Sequence, residues 1–385
     1  MRKIFLSGMF VFLVTYGIQA QITFSGILDS SVSMNAGAES SPAFSLGVEE
    51  YANMRFQAKL RERGMFYGAV NLIASAGDYA ADTALIAGQG SSSKGFTSFI
   101  SGDNYIAAVE LERLYFRLNF EKVDLDSGLF RLPFGYGQVW NPSDFINPKN
   151  PLKPDARPRG ILGAALSWYL TDELKLLGFG AAPRDPFSRD KGWLAGISGD
   201  HHWEKASVQA LYSFETPRTG SRNGIHRAGL SVKADVEVGL TIETLYAYNH
   251  EAGFDIDGLS ASIGADYSFY DGNIVVLAEY LYNGEYSSTS INGGGGFSNN
   301  HYLYTGFTWR FNDFTSAGAA LVSCFDDVSF TQVFTLSHDL FQGAVLTITA
   351  RLPLDRDLFT GNGSRGELGP RRGYFNLTAR LRLRF

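Results

Sequence analysis

Six histidines, at 201, 202, 226, 250, 301 and 338, are the side chains of this chain best suited to acid–base or metal chemistry. Catalysis needs a nucleophile, a base and an orienting group within hydrogen-bonding reach. His201 and His202 are adjacent, so in an extended segment they point to opposite faces and make a poor metal pair. His338-Asp339 falls where the sequence predicts a tight turn. His250 precedes Asp255 and Asp257 in a predicted surface loop, which is the nearest approach to a protease-like pair. No serine–histidine spacing of the membrane-phospholipase type occurs, and Gly-Lys-Ser/Thr, Cys-x-x-Cys and His-Glu-x-x-His motifs are absent. Cys324 is the one cysteine. The reading is a non-enzyme with no cofactor and no metal. The spacing that does stand out is basic. Arg380, Arg382 and Arg384 recur at every second residue, as do Arg55, Gln57, Lys59 and Arg61. Such spacing lines up charge on one face of a strand, which selects and steers ions without making bonds.

The elements that carry these residues follow from period two. Phe375, Leu377, Ala379, Leu381, Leu383 and Phe385 alternate with Asn376, Thr378 and the three arginines, a strand with one apolar and one polar face. Ala52, Met54, Phe56, Ala58 and Leu60 repeat the pattern against Arg55, Lys59 and Arg61. The alternation of 105–120 switches parity between Leu111 and Leu114, which predicts a β-bulge near Glu112-Arg113. About eighteen strands can be read, with sixteen as the alternative. Tight turns are predicted at Arg63, Glu121, Thr171-Asp172, Asp235–Glu237, Asp271-Gly272, Asn312-Asp313 and His338-Asp339. Long polar links are predicted at 34–50, 76–103, 134–157, 183–191, 216–224, 284–300 and 352–371.

Hydrophobic residues make up 45% of the chain and aromatics 14%, which excludes a disordered chain. Beyond the N-terminus the longest nearly unbroken apolar run is Ile161 to Leu170, short of the ~18 residues of a spanning helix. Short turns on one side and long loops on the other describe a single all-β, up-and-down antiparallel transmembrane barrel over 21–385. Residues 1–20, with Arg2-Lys3, an apolar stretch and Ile18-Gln19-Ala20, read as a cleavable signal peptide. The first strand then starts at the cut, leaving no room for an N-terminal plug. Without Arg2 and Lys3, 31 Lys+Arg stand against 39 Asp+Glu. That acidic balance does not suggest a nucleic-acid partner.

This pattern, with Phe385 ending an alternating last strand, resembles the porin-like outer-membrane β-barrels of Gram-negative bacteria and spirochaetes. The resemblance implies passive diffusion of small hydrophilic solutes. It implies the outer membrane with its lipopolysaccharide or equivalent as surroundings, and Phe385 as the signal read by the barrel-assembly machinery. Assembly as a homotrimer stays open. The alternative is a surface protein or adhesin that presents recognition loops on a barrel.

The non-lipid parity puts Arg55, Lys59, Arg61, Arg113, Arg117, Arg131, Arg380, Arg382 and Arg384 on the lumen side, an expected anion-favouring lining. Glu110, Glu112, Asp124, Asp126 and Glu243 are the facing acids. At about sixteen to eighteen strands the interior leaves an aqueous channel, so any constriction comes from a loop. Residues 134–157 are the candidate. Five of the 12 prolines lie between 142 and 158, and Trp140, Phe145 and Ile146 need somewhere to pack, for which the inner wall is available. The Trp-Asn-Pro-Ser-Asp-Phe stretch is similar to a loop motif of some porin-like families. By that likeness, Asp144 and Asp155 are expected to face the wall arginines across a narrowed path.

Overall fold

The computed structural model describes residues 20–36, 44–60, 63–79, 96–147, 149–152, 160–182, 192–217, 223–249, 253–284, 297–356, 366–369 and 375–385. Nineteen strands are present among them: β1 (Ala20–Ala36), β2 (Phe44–Leu60), β3 (Gly64–Gly77), β4 (Thr97–Ser101), β5 (Tyr105–Asn119), β6 (Val123–Phe130), β7 (Ile161–Tyr169), β8 (Leu174–Ala182), β9 (Leu194–His202), β10 (Ala206–Glu215), β11 (Ile225–Asp235), β12 (Gly239–Asn249), β13 (Leu259–Phe269), β14 (Ile274–Asn283), β15 (His301–Arg310), β16 (Thr315–Cys324), β17 (Ser329–Phe341), β18 (Ala344–Leu354) and β19 (Phe375–Arg384).

Eighteen of these form one antiparallel ring. β3 pairs directly with β5, and β19 returns to β1 from Ile27↔Arg384 to Ala36↔Phe375, which closes the sheet. The short β4 lies within the predicted 76–103 link and pairs with the upper part of β5. The ring's outward parity is apolar and bare: Phe24, Ile197 and Ile263 are 76%, 65% and 55% exposed. A sheet with this outer face, closed so that its backbone groups pair, is a transmembrane barrel.

Register follows the alternation in detail. On β3, Ala69 pairs with Arg113 while Val70 pairs with Leu111, so Glu112 is the extra residue of a bulge at the expected place. Both chain ends of the ring lie on the side of the tight turns. One turn departs from expectation. β17 continues through His338-Asp339 to Phe341, and the reversal comes at Gln342-Gly343, with Gly343 at φ +84°. His338 pairs across from Thr315 in the sheet. The outward series Phe330, Phe334, Leu336, His338 and Leu340 carries the strand past the polar pair, and the positive φ that glycine tolerates sets the true turn.

The seam ends at Phe385. It exchanges backbone hydrogen bonds with Gly26 (2.7 and 3.2 Å), and a Cβ on Gly26 would lie 2.4 Å from the Phe385 ring. Gly26→Val is therefore expected to obstruct closure and lower the yield of heat-modifiable folded barrel by roughly tenfold, the scale of an overpacking cost. Gel mobility before and after boiling reads this, and an unchanged folded fraction would show that the ring finds another seat.

Candidate functional site

The interior is not a packed core. Two buried apolar clusters lie instead between the inner wall and the chain that leaves β6. Leu132, Phe134, Phe145 and Ile146 pack on Leu177, Phe179, Leu194, Leu211 and Leu245 from the wall. Phe134 stacks on Phe145 (5.9 Å, 4°) and meets Phe179 at 5.3 Å. Val139 and Trp140 pack on Leu281, Tyr302, Val322 and Cys324. Residues 132–146 are thus laid along the inside of β8 to β16.

A loop buried this way must satisfy its backbone N–H groups without a ladder. Strand carboxylates do it. Glu243 accepts from the amides of Tyr136, Gly137 and Ser143 (3.5 Å for the last). Glu279 accepts from Gln138, Val139 and Trp140 at 3.3, 3.0 and 2.8 Å. Gln209 accepts from Gly135 at 2.7 Å, and the Ser143 and Ser231 hydroxyls meet at 2.8 Å. The Gln138 side chain donates to Asp266 at 2.6 Å. Gly135, at φ +74°, lets the chain come down on Glu243: a Cβ there would lie 2.5 Å from the carboxylate. Beneath the loop, Arg227 and Glu215 pair at 3.2 Å, both side chains fully buried, and the guanidinium lies 4.9 Å from the Phe145 ring centre.

The facing wall is basic. Arg55, Ala69 and Arg113 share one row across β2, β3 and β5, and Lys59, Met65 and Arg117 share another. Glu112 receives Arg113 at 3.0 Å and Arg131 at 2.7 Å through the same oxygen, while its other oxygen accepts from Asn53 at 2.7 Å. Arg55 donates to Asn53. Arg117 is paired in bidentate fashion with Asp126 (2.6 and 2.7 Å), and Arg382 with Asp29 (2.8 and 2.7 Å). Arg380 and Arg384 lie opposite Ser31 and Ile27 of β1 in the pairing register. Tyr67 and Tyr115 stand between these cations, 5.4 Å apart, under Arg113 and Arg117 respectively. The lumen is therefore divided. Acids on β9 to β14 are largely occupied by the loop and by nearby cations, and basic side chains dominate the wall of β2, β5 and β19, with Arg131 just past the end of β6.

Trp140 and Phe145, which the sequence reading expected to pack on the inner wall, are buried there at 2% and 6% exposure and anchor the loop. One expected residue sits elsewhere than the sequence reading placed it. Asp144 does not face the wall arginines. It turns into the loop, where its Oδ1 accepts from the Asn147 amide at 3.1 Å. Arg61 and Asp155 lie outside the described residues. Glu279, Gln209, Ser231 and Lys149, whose ammonium donates to the Gly137 carbonyl, escaped the sequence reading. Inward-parity acids on otherwise apolar strands were the available signal for Glu279.

Burial pushes the Asp144 carboxyl up to about 8 from 3.8, against the lowering pull of its backbone donors and Lys149. The seated loop then holds a proton that a released loop gives up, so seating is most favoured below pH ~4 and weakens as pH rises through about 8. Asp144→Asn should reduce that dependence. Current noise in planar bilayers should grow from pH 6 to pH 9 in the parent and grow less in the variant. Equal behaviour in the two would refute the assignment.

Among the described residues, Cys324, Asp327 and Glu367 bring ligand-type atoms together. Their carboxylates are already used by Asn299, Ser329, Ser298 and the Glu367 amide, which makes the group a clasp between loops.

No family model and no curated protein matches the chain. Solved structures do match in fold. OccAB4 of Acinetobacter baumannii is 13% identical, with a TM-score of 0.55 over 95% of this chain and 99% of that one. A BenF-like porin from Pseudomonas fluorescens Pf-5 is 9% identical, with a TM-score of 0.57 over 95% and 98%. OccK7 (OpdD) of Pseudomonas aeruginosa is 10% identical, with a TM-score of 0.52 over 95% and 98%. At these identities the likeness is one of fold.

Proposed function

We propose that this chain is an outer-membrane porin, a water-filled channel for passive diffusion of small hydrophilic solutes, narrowed by residues 134–147. The observation that carries the reading is the seating of that segment on the inner wall of an eighteen-strand ring, opposite a row of guanidiniums. The porin named among the structural neighbours is in keeping with it. A ring of this size leaves an aqueous interior, and a loop along one wall narrows it without plugging it. Arg55, Arg113 and Arg131 are the proposed selecting residues, with anions favoured. Arg117 and Arg382, each paired one to one, serve as wall ties. The barrel does no bond chemistry. Residues 1–20 are removed on export, Phe385 is read by the assembly machinery, and the solvent of the outer wall is outer-membrane lipid. Three chains associating through that wall is the oligomer to look for.

Purified protein in a planar bilayer should give stepwise, salt-dependent conductance. Folded, heat-modifiable protein that gives no channels would end the porin reading.

A further inference from the structure

Trp140 is held by more than the barrel wall. Its ring meets Phe297 at 6.3 Å with the planes at 74°, and Tyr302 at 6.4 Å. Phe297 and Tyr302 meet each other at 4.9 Å. Leu368 and Cys324 belong to the same buried cluster. Of these five residues, only Trp140 lies in the seated segment. Phe297 precedes β15, Cys324 ends β16, and Leu368 lies between β18 and β19. Three separate links at the loop end thus supply one side of the tryptophan's socket.

One carboxylate orders that side. Through Oε1, Glu367 accepts from the Ser298 amide at 2.7 Å, which fixes the residue beside Phe297. Its Oε2 accepts from the Tyr302 phenol and, at 3.0 Å, from the Asn299 side chain. Its own amide donates to Asp327 at 2.6 Å, and Asp327 accepts from the same Asn299 nitrogen at 2.9 Å. Ser329 donates its hydroxyl to Asp327 at 2.5 Å and accepts from the Leu368 amide at 3.0 Å. The Thr331 hydroxyl donates to the Leu368 carbonyl at 2.9 Å. Hydrogen bonds to an ionised acceptor are the stronger kind. Here they fix Phe297, Tyr302 and Leu368 where they pack with Trp140.

We propose that Glu367 is a positioning residue for the pore-narrowing segment. The clasp it makes with Asp327 and Asn299 keeps the Trp140 socket closed, so links at the loop end help to set the width of the pore. The inference rests on the reading that residues 134–147 narrow the channel. Glu243 and Glu279 fasten the segment by its backbone from the wall. The clasp fastens it by one side chain from the loop end. Opening the clasp lets Phe297 and Leu368 withdraw, takes packing partners from the indole and shifts the segment toward release.

The test records single channels of the full barrel and reads the share of time spent in the larger conductance level. Glu367→Ala should raise that share by roughly fivefold, the scale of one net hydrogen bond. Tyr302→Phe, which keeps the ring and loses the phenol, should raise it less. Trp140→Ala should raise it as well, and Glu367→Ala added to Trp140→Ala should change little more, because both act through one contact. Asp78→Asn is the control. It breaks another network at the loop end, where Asp78 accepts from Asn35 at 2.6 Å and from Ser45, and should leave the dwell pattern unchanged. Cys324, the one cysteine and 2% exposed, reports on the clasp itself. Its labelling by a maleimide in the native barrel should speed up in Glu367→Ala and not in Asp78→Asn. The parent dwell pattern in both Glu367→Ala and Tyr302→Phe would overturn the proposal, whether or not Cys324 has become reactive. So would independent, multiplying effects of Glu367→Ala and Trp140→Ala. Glu243→Gln with Glu279→Gln tests narrowing by the segment without touching the clasp, so a failure of that reading shows separately.

Discussion

Glu243→Gln combined with Glu279→Gln should raise single-channel conductance by about twofold or more, because both anchors of the inward loop are lost. The two carboxylates together accept six backbone amides of residues 136–143. Hydrogen bonds to a charged acceptor are worth about 1.5–3 kcal/mol each in favourable settings. A glutamine keeps the shape but carries a neutral acceptor on one side and turns its own N–H groups toward the loop's donors on the other. Apolar packing of Phe134, Phe145 and Trp140 remains, so each single variant should show flicker between two conductance levels. The double variant should dwell in the larger one. The two substitutions keep the backbone pairing of β12 and β14, and heat-modifiable migration checks that the barrel has folded. A double variant with parent conductance would show that the loop does not set the width.

Arg113→Gln with Arg131→Gln should remove the anion preference, lowering the anion-to-cation permeability ratio by roughly threefold or more at low salt, where screening is weak. The physical ground is a shared acid. One oxygen of Glu112 receives both guanidiniums, so a single negative charge faces two positive ones, with Arg55 on the same row. The formal charge of the whole chain is −6, yet an acid farther than a Debye length, about 8 Å in physiological salt, from this ring is largely screened there. The narrow part sets selectivity. Reversal potential in a KCl gradient measures it. A parent channel that already prefers cations would overturn the assignment of Arg55, Arg113 and Arg131 as selecting residues.

The contrast between the two walls also explains what could be read in advance. Arg55, Arg113 and Arg117 lie on strands, and strand parity is a local property: each apolar neighbour reports which way the next side chain points. The bulge at Glu112 was legible for the same reason, since a parity switch has one local cause. The turn at Gln342-Gly343 was misplaced because His338-Asp339 looks like a turn by composition, while ladder pairing with Thr315 overrides that local preference. Asp144 was misassigned for a different reason. Loop residues have no parity, so the direction of a loop side chain depends on what lies opposite it in space.

Composition and period two by themselves determined the closed barrel, its outward face, the side of the turns and the basic wall. Tertiary structure alone decided that residues 134–147 lie against β8 to β16, that Glu243 and Glu279 hold them, and that Asp144 turns away from the wall arginines. The division has one cause. In a strand the backbone amides are satisfied by neighbours at regular register, so side-chain direction follows from sequence spacing. In this loop they are satisfied by carboxylates about a hundred or more residues away along the chain, and no spacing in the sequence records which acids those are.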